Sequence, residues 1–513
     1  MPTEIVIAYS VFGGFLLMLV SLKLMQILQL SSYRIKGLVA WLKNTKRDFL
    51  VRYFALAFFS FVSMFVYVMC FGSVEWCFNW GFLFFILLCA YFVYAVSKQK
   101  SKTPLRVTKR IFRLFIVNII VNAALCFAAI WFTKDIEAVR YSIVGVTPLL
   151  CPITLILSHI LLLPVEKLIA HSFIKKATRR LAVNKPTVIG ITGSYGKTTA
   201  KKVLATFLHT KYKVFASPHS YNTPMGLSKC INEEYGGEEI FVAEMGARYV
   251  GDIKYLTKIF HPKYAMLTAI GNQHLETFKT KENIIKEKTS ILDGVTFAVA
   301  NGDSIDVAQN VGDRAVLCGK ENSASYSEVK SDINGTDFVL TINGESVDIH
   351  TRLVGDHIPS IVTLCARLAF EMGVSLKKIK EAAANLPFVE HRLEVMKSGD
   401  VIIFDDSYNS NPVGADNALK ILSTFEGTKV VITPGFVELG EASAEAQKEL
   451  GEKIASIADH VFLLGPNAQL IKSGMGDFQS VVIVDSLDEA MEQLKEIPAP
   501  MAVLFENDLP DNY

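Results

Sequence analysis

Apolar residues are distributed unevenly along this chain, and the pattern changes near Pro186. Helices in soluble proteins rarely run long without a polar stripe, whereas a membrane-crossing helix needs about 20 apolar residues. Before Pro186, five apolar stretches approach or exceed that length, at roughly 5–30, 51–72, 78–97, 114–133 and 141–164. The pattern therefore predicts an α-helical membrane domain of about five transmembrane helices at 1–182.

Beyond Pro186, short apolar runs alternate with amphipathic stretches, which is typical of α/β domains with mostly parallel sheets. The first series predicts strands at 187–192, 213–217, 239–244, 263–268, 296–300 and 314–318. Asn-Gly turns at 334 and 343 predict antiparallel hairpins over 325–353. The second series predicts strands at 401–405, 429–433, 461–464, 480–484 and 501–505. We therefore expect a central P-loop domain at 183–386 and a C-terminal Rossmann-like domain at 387–513.

Basic residues predict how the apolar half is oriented. They cluster in 31–52, in 98–113 and after 165, whereas the two remaining connections hold only Lys134 and Arg140. Positive charge stays on the cytoplasmic side, so five spans place the N-terminus outside and both α/β domains in the cytoplasm. The expected location is the inner (cytoplasmic) membrane, with the basic loops contacting lipid headgroups and not nucleic acid.

The segment from Thr187 to Thr199 carries the strongest chemical signal, because an apolar strand runs into a glycine turn and a Gly-Lys-Thr that opens a helix. Such a turn binds the phosphates of a nucleotide, with Lys197 adding positive charge and Thr198 able to ligate magnesium. The spacing is the variant G-[ST]-x-G-K-[ST], since Ile191 replaces the first glycine of the common motif. The expected nucleotide-binding residues here are Gly193, Ser194, Gly196, Lys197, Thr198 and Thr199.

Four further clusters are each weak when taken alone. Glu244 ends a strand before a glycine turn, His274 lies in a loop just past a strand, and Lys288 lies on the helix predicted near 281–292. Their ordinary explanations are a solvated strand end, a structural histidine and a surface charge. The fourth cluster opens the last domain and comprises 390–394 and 404–412. The eight cysteines include no C-x-x-C pair, so neither a zinc site nor a disulfide framework is predicted.

The order of these clusters resembles the Mur ligase family, the ATP-dependent amide-bond-forming enzymes of cell-wall precursor synthesis. The resemblance covers about 186–513 and is closest to the branch that adds D-Ala-D-Ala to the muramyl tripeptide. The family's N-terminal UDP-substrate domain has no counterpart, and the predicted membrane domain occupies its place. The matching motifs are Thr192-Gly-Ser-Tyr-Gly-Lys-Thr198, Asn222-Thr-Pro-Met-Gly226, Glu244-Met-Gly-Ala247, His274-Leu275, Lys288, Gly355-Asp-His357, Arg392-Leu-Glu394, Asp405-Asp-Ser-Tyr-Asn-Ser-Asn-Pro412 and Glu438-Leu-Gly-Glu441.

The resemblance implies a catalytic site with ATP and two magnesium ions. Lys197 and Thr198 would hold the γ-phosphate and the first magnesium, with Glu244 ligating that ion beside them. His274 and Lys288 would hold the second magnesium, Lys288 as a carbamate formed with CO₂. The carbamate matters because a free ammonium cannot ligate a cation, whereas a carboxylate-like group can.

The resemblance also implies contacts to the nucleotide from outside the phosphate loop. Arg392 of the last domain would reach the phosphates and Asp406 the ribose when the domains close. Asn222 and Asn409, which lie within matching motifs, are expected at the same site. The family usually carries an asparagine near the adenine where this chain has Ile361.

The predicted function is a membrane-anchored, ATP-dependent carboxylate–amine ligase that acts through an acyl phosphate in cell-envelope synthesis. We expect a lipid-linked or membrane-proximal acceptor, to which an amino acid or short peptide is attached; the sequence names neither substrate. One alternative is a D-Ala-D-Ala ligase that uses a soluble UDP-linked muramyl tripeptide and is only tethered to the membrane. Another is an ATP-driven membrane transporter, although no apolar strand ends in the Asp-Glu pair expected of one.

Overall fold

The computed structural model describes residues 3–44, 47–71, 74–98, 104–133, 142–271, 275–408, 411–436 and 443–507. The chain divides into two compact units, the first ending at His171 and the second beginning at Ser172. The predicted site residues His274 and Asn409, and the cluster 438–441, lie outside the described residues.

The N-terminal unit is built from apolar helices. They span Thr3–Val20, Leu22–Leu30, Ile35–Asn44, Arg47–Phe71, Val74–Ser97, Lys109–Phe132 and Cys151–Asn184, the last preceded by a 3₁₀ helix at Ser142–Leu150 and continuing into the second unit. Within the described part of the chain, three helical stretches are long and apolar enough to cross a membrane, namely Phe49–Val66, Lys109–Phe132 and Ser142–Asn184. Membrane insertion itself stays a prediction.

Two of the predicted spans differ from the helices that are present. The stretch at 5–30 is a pair, Val6–Val20 and Leu22–Leu30, bent by 49°. Ser21 lies at the bend and donates its hydroxyl to the carbonyl of Leu17 (2.8 Å), a contact that favours bending. The stretch at 78–97 contains an apolar helix, Phe82–Ser97, that is too short to meet the same criterion. Length and composition thus support three spans, or four with the bent pair, among the described residues.

Large apolar side chains lie on the outside of this unit, while polar ones lie inside. On the helix Lys109–Phe132, the exposed fractions of Phe112, Ile116 and Ile120 are 57%, 46% and 60%, whereas Asn118 and Asn122 are fully buried. Soluble domains rarely expose contiguous apolar surface of this kind. An apolar exterior is what contact with lipid requires.

The second unit contains a nine-stranded sheet in the order β2-β3-β1-β4-β5-β6-β7-β8-β9. Its strands are β1 Thr187–Thr192, β2 Val214–Ala216, β3 Ile240–Glu244, β4 Tyr264–Leu267, β5 Phe297–Asn301, β6 Val316–Cys318, β7 Ala324–Asp332, β8 Gly335–Ile342 and β9 Glu345–Thr351. The pairs from β2 to β7 are parallel, and β7 to β9 are antiparallel. Since β1 lies beside β3, their carboxyl ends bring the glycine turn and Glu244 to one edge.

Helices cover this sheet because its central strands are apolar on both faces, as expected for buried parallel strands. The helices are Lys197–His209, Pro224–Glu233, Asp252–Phe260, Leu275–Phe278, Lys281–Thr289, Ile305–Val311, Ile358–Glu371 and Leu376–Ala383, with 3₁₀ turns at Ser290–Leu292 and Gly312–Arg314. Ile191, Val242 and Met266 of the sheet pack with Leu204 of the phosphate-loop helix in one buried core.

A six-stranded sheet follows, in the order β10-β11-β15-β12-β13-β14. Its strands are β10 Glu394–Ser398, β11 Val401–Asp406, β12 Thr428–Thr433, β13 His460–Leu464, β14 Val481–Val484 and β15 Met501–Glu506. All neighbours are parallel except β10 and β11. The helices are Pro412–Ser423, Ser443–Ala455, Ala468–Gly474 and Leu487–Leu494. Both α/β domains therefore have the mostly parallel sheets that the sequence predicts.

Candidate active site

The phosphate loop depends on two glycines. Gly193 has φ +154°, and a Cβ there would lie 2.0 Å from Thr268 Oγ1. Gly196 adopts the left-handed conformation (φ +77°) as the N-cap of the helix Lys197–His209. The loop is tied to the segment after β4, because the Ser194 amide donates to the carbonyl of Ala269 (2.7 Å). A helix N-terminus with free backbone N–H groups thus lies at the carboxyl end of β1, where phosphate binds in such folds.

The Lys197 side chain folds back over this loop. Its Nζ donates to the carbonyl oxygens of Gly193 (2.8 Å) and Ser194 (3.2 Å). Burial lowers the pKa of Lys197 to about 8, an effect that the Glu244 carboxylate partly offsets and the Arg392 guanidinium reinforces. A phosphate group would replace these carbonyl partners with a stronger, charged acceptor.

Glu244, at the end of β3, is the acidic centre of the site and is only 2% exposed. Its Oε2 accepts hydrogen bonds from Thr198 Oγ1 (3.0 Å) and Lys201 Nζ (3.1 Å), and its Oε1 accepts from Asn222 Nδ2 (3.2 Å). Burial alone would raise the pKa of Glu244, but the Lys201 and Lys197 ammonium groups outweigh it and the pKa falls. The carboxylate is therefore ionised, and Glu244 is not a solvated strand end.

Lys201 is a site residue that the sequence analysis missed. Its side chain is 3% exposed, and its Nζ also donates to the carbonyl of His219 (2.6 Å). One feature of the sequence indicates this role: Lys201 follows Lys197 by four residues, and residues four apart lie on the same face of a helix. Lys201 thus faces the same carboxylate as the phosphate loop.

Lys288 is buried, with 2% of its surface exposed, whereas Lys286 on the same helix is exposed. Among the described residues its ammonium has no hydrogen bond or ion pair. Burial, together with the nearby charge of Lys197 and against the opposing charge of Glu287, lowers the pKa of Lys288 to about 7. Lys288 is therefore not the surface charge that its helix position alone suggests. Much of the amine is neutral near pH 7, the form that can react with CO₂.

Residues of the last domain act on the same centre. The charge of Arg392 lowers the pKa of Lys197. Burial lowers the pKa of Arg392 itself, against the raising effect of Asp406 and Glu244, and its guanidinium lies 4.6 Å from the Tyr408 ring centroid. Burial raises the pKa of Asp406 to about 6, against the opposing effect of Arg392 and of a hydrogen bond from the Leu393 amide.

Two other positions lie around the loop. Ile361 is 6% exposed, and its Cδ1 lies 3.1 Å from where a Cβ of Gly196 would be. An apolar side chain thus borders the phosphate loop at this point. Thr199 is 9% exposed and belongs to the first turn of the loop helix.

The donor atoms around Glu244 fit magnesium. Carboxylate and hydroxyl oxygens, here from Glu244 and Thr198, are the ligands that Mg²⁺ prefers, and it usually completes its shell with water and substrate phosphates. Among the described residues there is no group of three or more His, Cys, Asp or Glu that could hold a metal by themselves. Lys288 could join such a site only after its amine gains an anionic group, as a carbamate would provide.

Comparison with protein families assigns both α/β domains. Residues 191–362 match the Mur ligase middle domain, and residues 391–506 match the Mur ligase, glutamate ligase domain. The chain belongs to the Mur ligase family. The Mur ligases are ATP-dependent and form amide bonds, which agrees with the phosphate loop described above.

Two of the relatives share one enzyme name. The UDP-N-acetylmuramoyl-tripeptide–D-alanyl-D-alanine ligase of Borreliella burgdorferi is 31% identical over 298 residues, 54% of this chain and 62% of that protein. The enzyme of the same name from Bacillus subtilis is 28% identical over 298 residues, 56% of this chain and 64% of that protein. The matches span less than two thirds of these relatives' own length.

A solved relative shares the fold. The MurF ligase from Thermotoga maritima, determined in complex with ADP, is similar with a TM-score of 0.60 and 28% identity, over 66% of this chain and 80% of that one. The N-terminal apolar helices lie outside the two matched family domains.

Proposed function

We propose that this chain is an ATP-dependent ligase that joins a carboxylate to an amine through an acyl phosphate. The observation that carries the proposal is the buried Glu244 carboxylate, which lies between Thr198 and Lys201 at the edge of the phosphate loop. An oxygen of the substrate carboxylate attacks the γ-phosphorus of ATP, and the bond to ADP breaks. The amine nitrogen then attacks the acyl carbon, inorganic phosphate leaves, and the nitrogen loses a proton.

The side chains of the site supply positioning and charge, which account for most catalysis of phosphoryl transfer. The phosphate loop and Lys197 bind the outer phosphates, and Arg392 adds a second cation from the other domain. Glu244 and Thr198 would hold a magnesium ion, which offsets negative charge on the transferred group when bound. Asp406 would hold the ribose.

Lys288 is proposed to act as a carbamate. The neutral amine attacks CO₂, a nitrogen–carbon bond forms, and a proton is released to solvent. The product is a buried anion near Lys197, in contrast to the buried ammonium that it replaces. With His274 it would hold a second magnesium ion.

The names of the relatives favour one substrate pair. They are ligases of UDP-N-acetylmuramoyl-tripeptide and D-alanyl-D-alanine, and we propose this pair as the first candidate for the chain. It corresponds to an enzyme that is tethered to the membrane but uses a soluble precursor.

A lipid-linked or membrane-proximal acceptor is the second candidate. The apolar exterior of the N-terminal helices favours it, because a soluble UDP-linked substrate gains nothing from several spans. The distribution of basic residues supports an orientation with the catalytic domains in the cytoplasm.

The test uses the full-length protein in detergent with Mg-ATP. One reaction contains UDP-N-acetylmuramoyl-tripeptide with D-alanyl-D-alanine, and the other contains a bacterial lipid extract with amino acids. ADP release is measured, and any new amide is identified by mass spectrometry. Lys197→Ala should abolish both ADP release and amide formation, whereas Lys254→Ala, at an exposed position, should leave both unchanged. ADP release at the same rate without any acceptor or amine would contradict a ligase and favour transport.

A further inference from the structure

Three segments of the N-terminal unit meet in a cluster of basic side chains. The Gln29 side chain joins two of them, since its Nε2 donates to the carbonyl of Arg106 (2.9 Å) and its Oε1 accepts from the Arg106 amide (3.0 Å). Arg110 and Arg113 follow in the first two turns of the helix Lys109–Phe132. The third segment contributes Glu166. We call Tyr33, Arg106, Arg110, Arg113, His159 and Glu166 the Arg110 cluster.

The hydrogen bonds of this cluster leave Arg110 only partly satisfied. Arg113 Nε donates to Glu166 Oε1 at 2.6 Å, whereas Arg110 Nε lies 3.6 Å from Glu166 Oε2. Among the described residues, that buried Arg110 Nε has no hydrogen-bond partner. A buried donor without a partner is costly, so this nitrogen is a binding point for an anion.

Charge in the cluster is also unbalanced. Among the described residues, Arg110 and Arg113 pair with one carboxylate, that of Glu166, and the exposed Arg106 and Lys109 add positive charge to the same stretch of chain. Guanidinium groups match the geometry of phosphate oxygens and bind them in pairs of hydrogen bonds. The excess positive charge therefore fits a phosphate group.

Aromatic contacts hold Arg110 in place. Its guanidinium carbon lies 3.7 Å from the centroid of the Tyr33 ring, within the range of a cation–π contact. The Tyr33 ring is stacked with that of His159, at 6.3 Å between centroids and 22° between planes. Arg110 is thus preorganised by its neighbours, which reduces the entropy that a ligand must offset on binding.

A buried polar ladder leads from this cluster into the apolar helices. Asn118 Nδ2 donates to Ser158 Oγ (3.1 Å), and Asn122 Nδ2 donates to Asn118 Oδ1 (3.0 Å). Asn118 lies five residues after Arg113, or about 7.5 Å along the helix. The cluster therefore lies at the polar end of an antiparallel helix pair, where a lipid headgroup would lie if the pair crosses the membrane.

We propose that the Arg110 cluster binds the phosphate group of a membrane lipid. The apolar stripe of Phe112, Ile116 and Ile120 begins beside Arg113 on the same helix and would contact the acyl chains. Free phosphate could accept hydrogen bonds from the arginines, but it could not cover the apolar stripe. The proposal rests on the proposed membrane placement of the N-terminal unit and is independent of the ligase chemistry.

Fluorescent phosphatidic acid serves as the probe, with full-length protein in nanodiscs of neutral phosphatidylcholine and no ATP. We expect saturable binding, weakened at least about tenfold by Arg110→Gln, since a charge-assisted hydrogen bond contributes on the order of a factor of ten. Lys98→Gln removes an exposed basic residue outside the cluster and should leave the affinity unchanged. Arg110→Lys keeps the positive charge but loses the planar guanidinium that donates paired hydrogen bonds, so it should bind the probe with intermediate affinity.

Three outcomes would overturn the proposal. Equal affinity in Arg110→Gln and Lys98→Gln would exclude the cluster, and displacement by equimolar inorganic phosphate would show a free-anion site instead. A second variant, Arg106→Gln,Arg113→Gln, keeps Arg110 and its aromatic contact. If this variant bound the probe as tightly as the unsubstituted protein, the cluster would be excluded as the phosphate site. ADP binding to the same preparations checks folding and separates this result from any failure of the proposed ligase activity.

Discussion

Lys288 is the residue whose chemistry depends most on burial, because its amine is withdrawn from water and lies near the charge of Lys197. The helical pattern placed it among Lys281 and Lys286 and could not rank the three; only the resemblance to the Mur ligases singled it out. Only the packing of the helix Lys281–Thr289 on the sheet decides which side chain is buried. The same holds for Lys201, whose partner Glu244 is 43 residues away.

Substitution of Lys288 tests its proposed carbamate. Lys288→Ala should lose amide formation at least about a hundredfold, the order of a missing electrostatic group at the reacting phosphate, and millimolar acetate should restore part of it. Lys288→Arg cannot form a carbamate and should be equally inactive, whereas exposed Lys286→Ala should be normal. Product formation is followed by mass spectrometry. A fully active Arg variant would show that no carbamate is needed.

The pKa of Lys288 also predicts how stability changes with pH. A native pKa near 7, below the ordinary 10.5, means that the unfolded chain binds a proton that the native amine lacks between these values. The free energy of unfolding contributed by this group therefore rises with pH across that window and falls as pH drops toward 7. In CO₂-free buffer, Lys288→Met should be most stabilising near pH 7 and less so near pH 9. Denaturant titrations measure the difference in the free energy of unfolding between the two proteins. A difference that does not change with pH would contradict the lowered pKa of Lys288.

At the scale of elements, the strands of both α/β domains could be predicted because buried parallel strands are continuous apolar runs. The predicted central strands agree with β1 to β6 within two residues, and the Asn-Gly turns begin β8 and lead into β9. The strand β10 was missed because it is a short, mostly exposed edge strand of mixed polarity. The bend at Ser21 depends on a backbone contact that hydropathy does not register.

The phosphate loop allows a matched test of its geometry. Gly193→Ala places a Cβ 2.0 Å from Thr268 Oγ1 and should weaken ADP binding at least about tenfold, since the loop must shift. Gly294 has φ +76° with nothing within 4 Å of an added Cβ, so Gly294→Ala should only cost about 1–2 kcal/mol of backbone strain. Fluorescent ADP titrations give both affinities. Equal affinities would show that the close approach at Gly193 is not required.

The Lys201–Glu244 pair predicts a link between stability and cation binding. Lys201→Met leaves Glu244 buried without its ion-pair partner, which should cost about 3–5 kcal/mol of unfolding free energy. Mg-ADP should recover part of that loss, because a cation would replace the missing ammonium. The neighbouring Lys202→Met, which loses a hydrogen bond to the Phe388 carbonyl, should cost less. Denaturant titrations with and without Mg-ADP measure both; a Lys201→Met protein as stable as the unsubstituted one would contradict the pair's role.

At the scale of the whole molecule, an apolar N-terminal unit is joined to two Mur ligase domains. The family and the order of its motifs could be predicted from local sequence. The approach of Arg392 to Lys197 and Glu244 could be expected only from the resemblance to the family, because it depends on how two sheets pack within the second unit. The identity of the carboxylate substrate could not be predicted either, because no sequence motif describes the surface that would bind it.

The apolar N-terminal unit predicts attachment of the whole protein to the membrane. The full-length protein should sediment with membranes and resist alkaline carbonate extraction, because its apolar helices leave lipid only at high cost. A protein that begins at Ser172 lacks Phe49–Val66, Lys109–Phe132 and most of Ser142–Asn184, so the carbonate wash should release it. Immunoblots of the two fractions report the result. Release of the full-length protein by carbonate would rule out integral insertion.

Oxygen-18 labelling shows whether an acyl phosphate forms on the substrate carboxylate. An acceptor labelled in both carboxylate oxygens is incubated with full-length protein, Mg-ATP and the amine, and the released phosphate is analysed by mass spectrometry. If the acyl phosphate forms, each phosphate released carries one oxygen-18, and the Lys197→Ala protein releases no labelled phosphate. Amide formation with unlabelled phosphate would contradict the acyl phosphate.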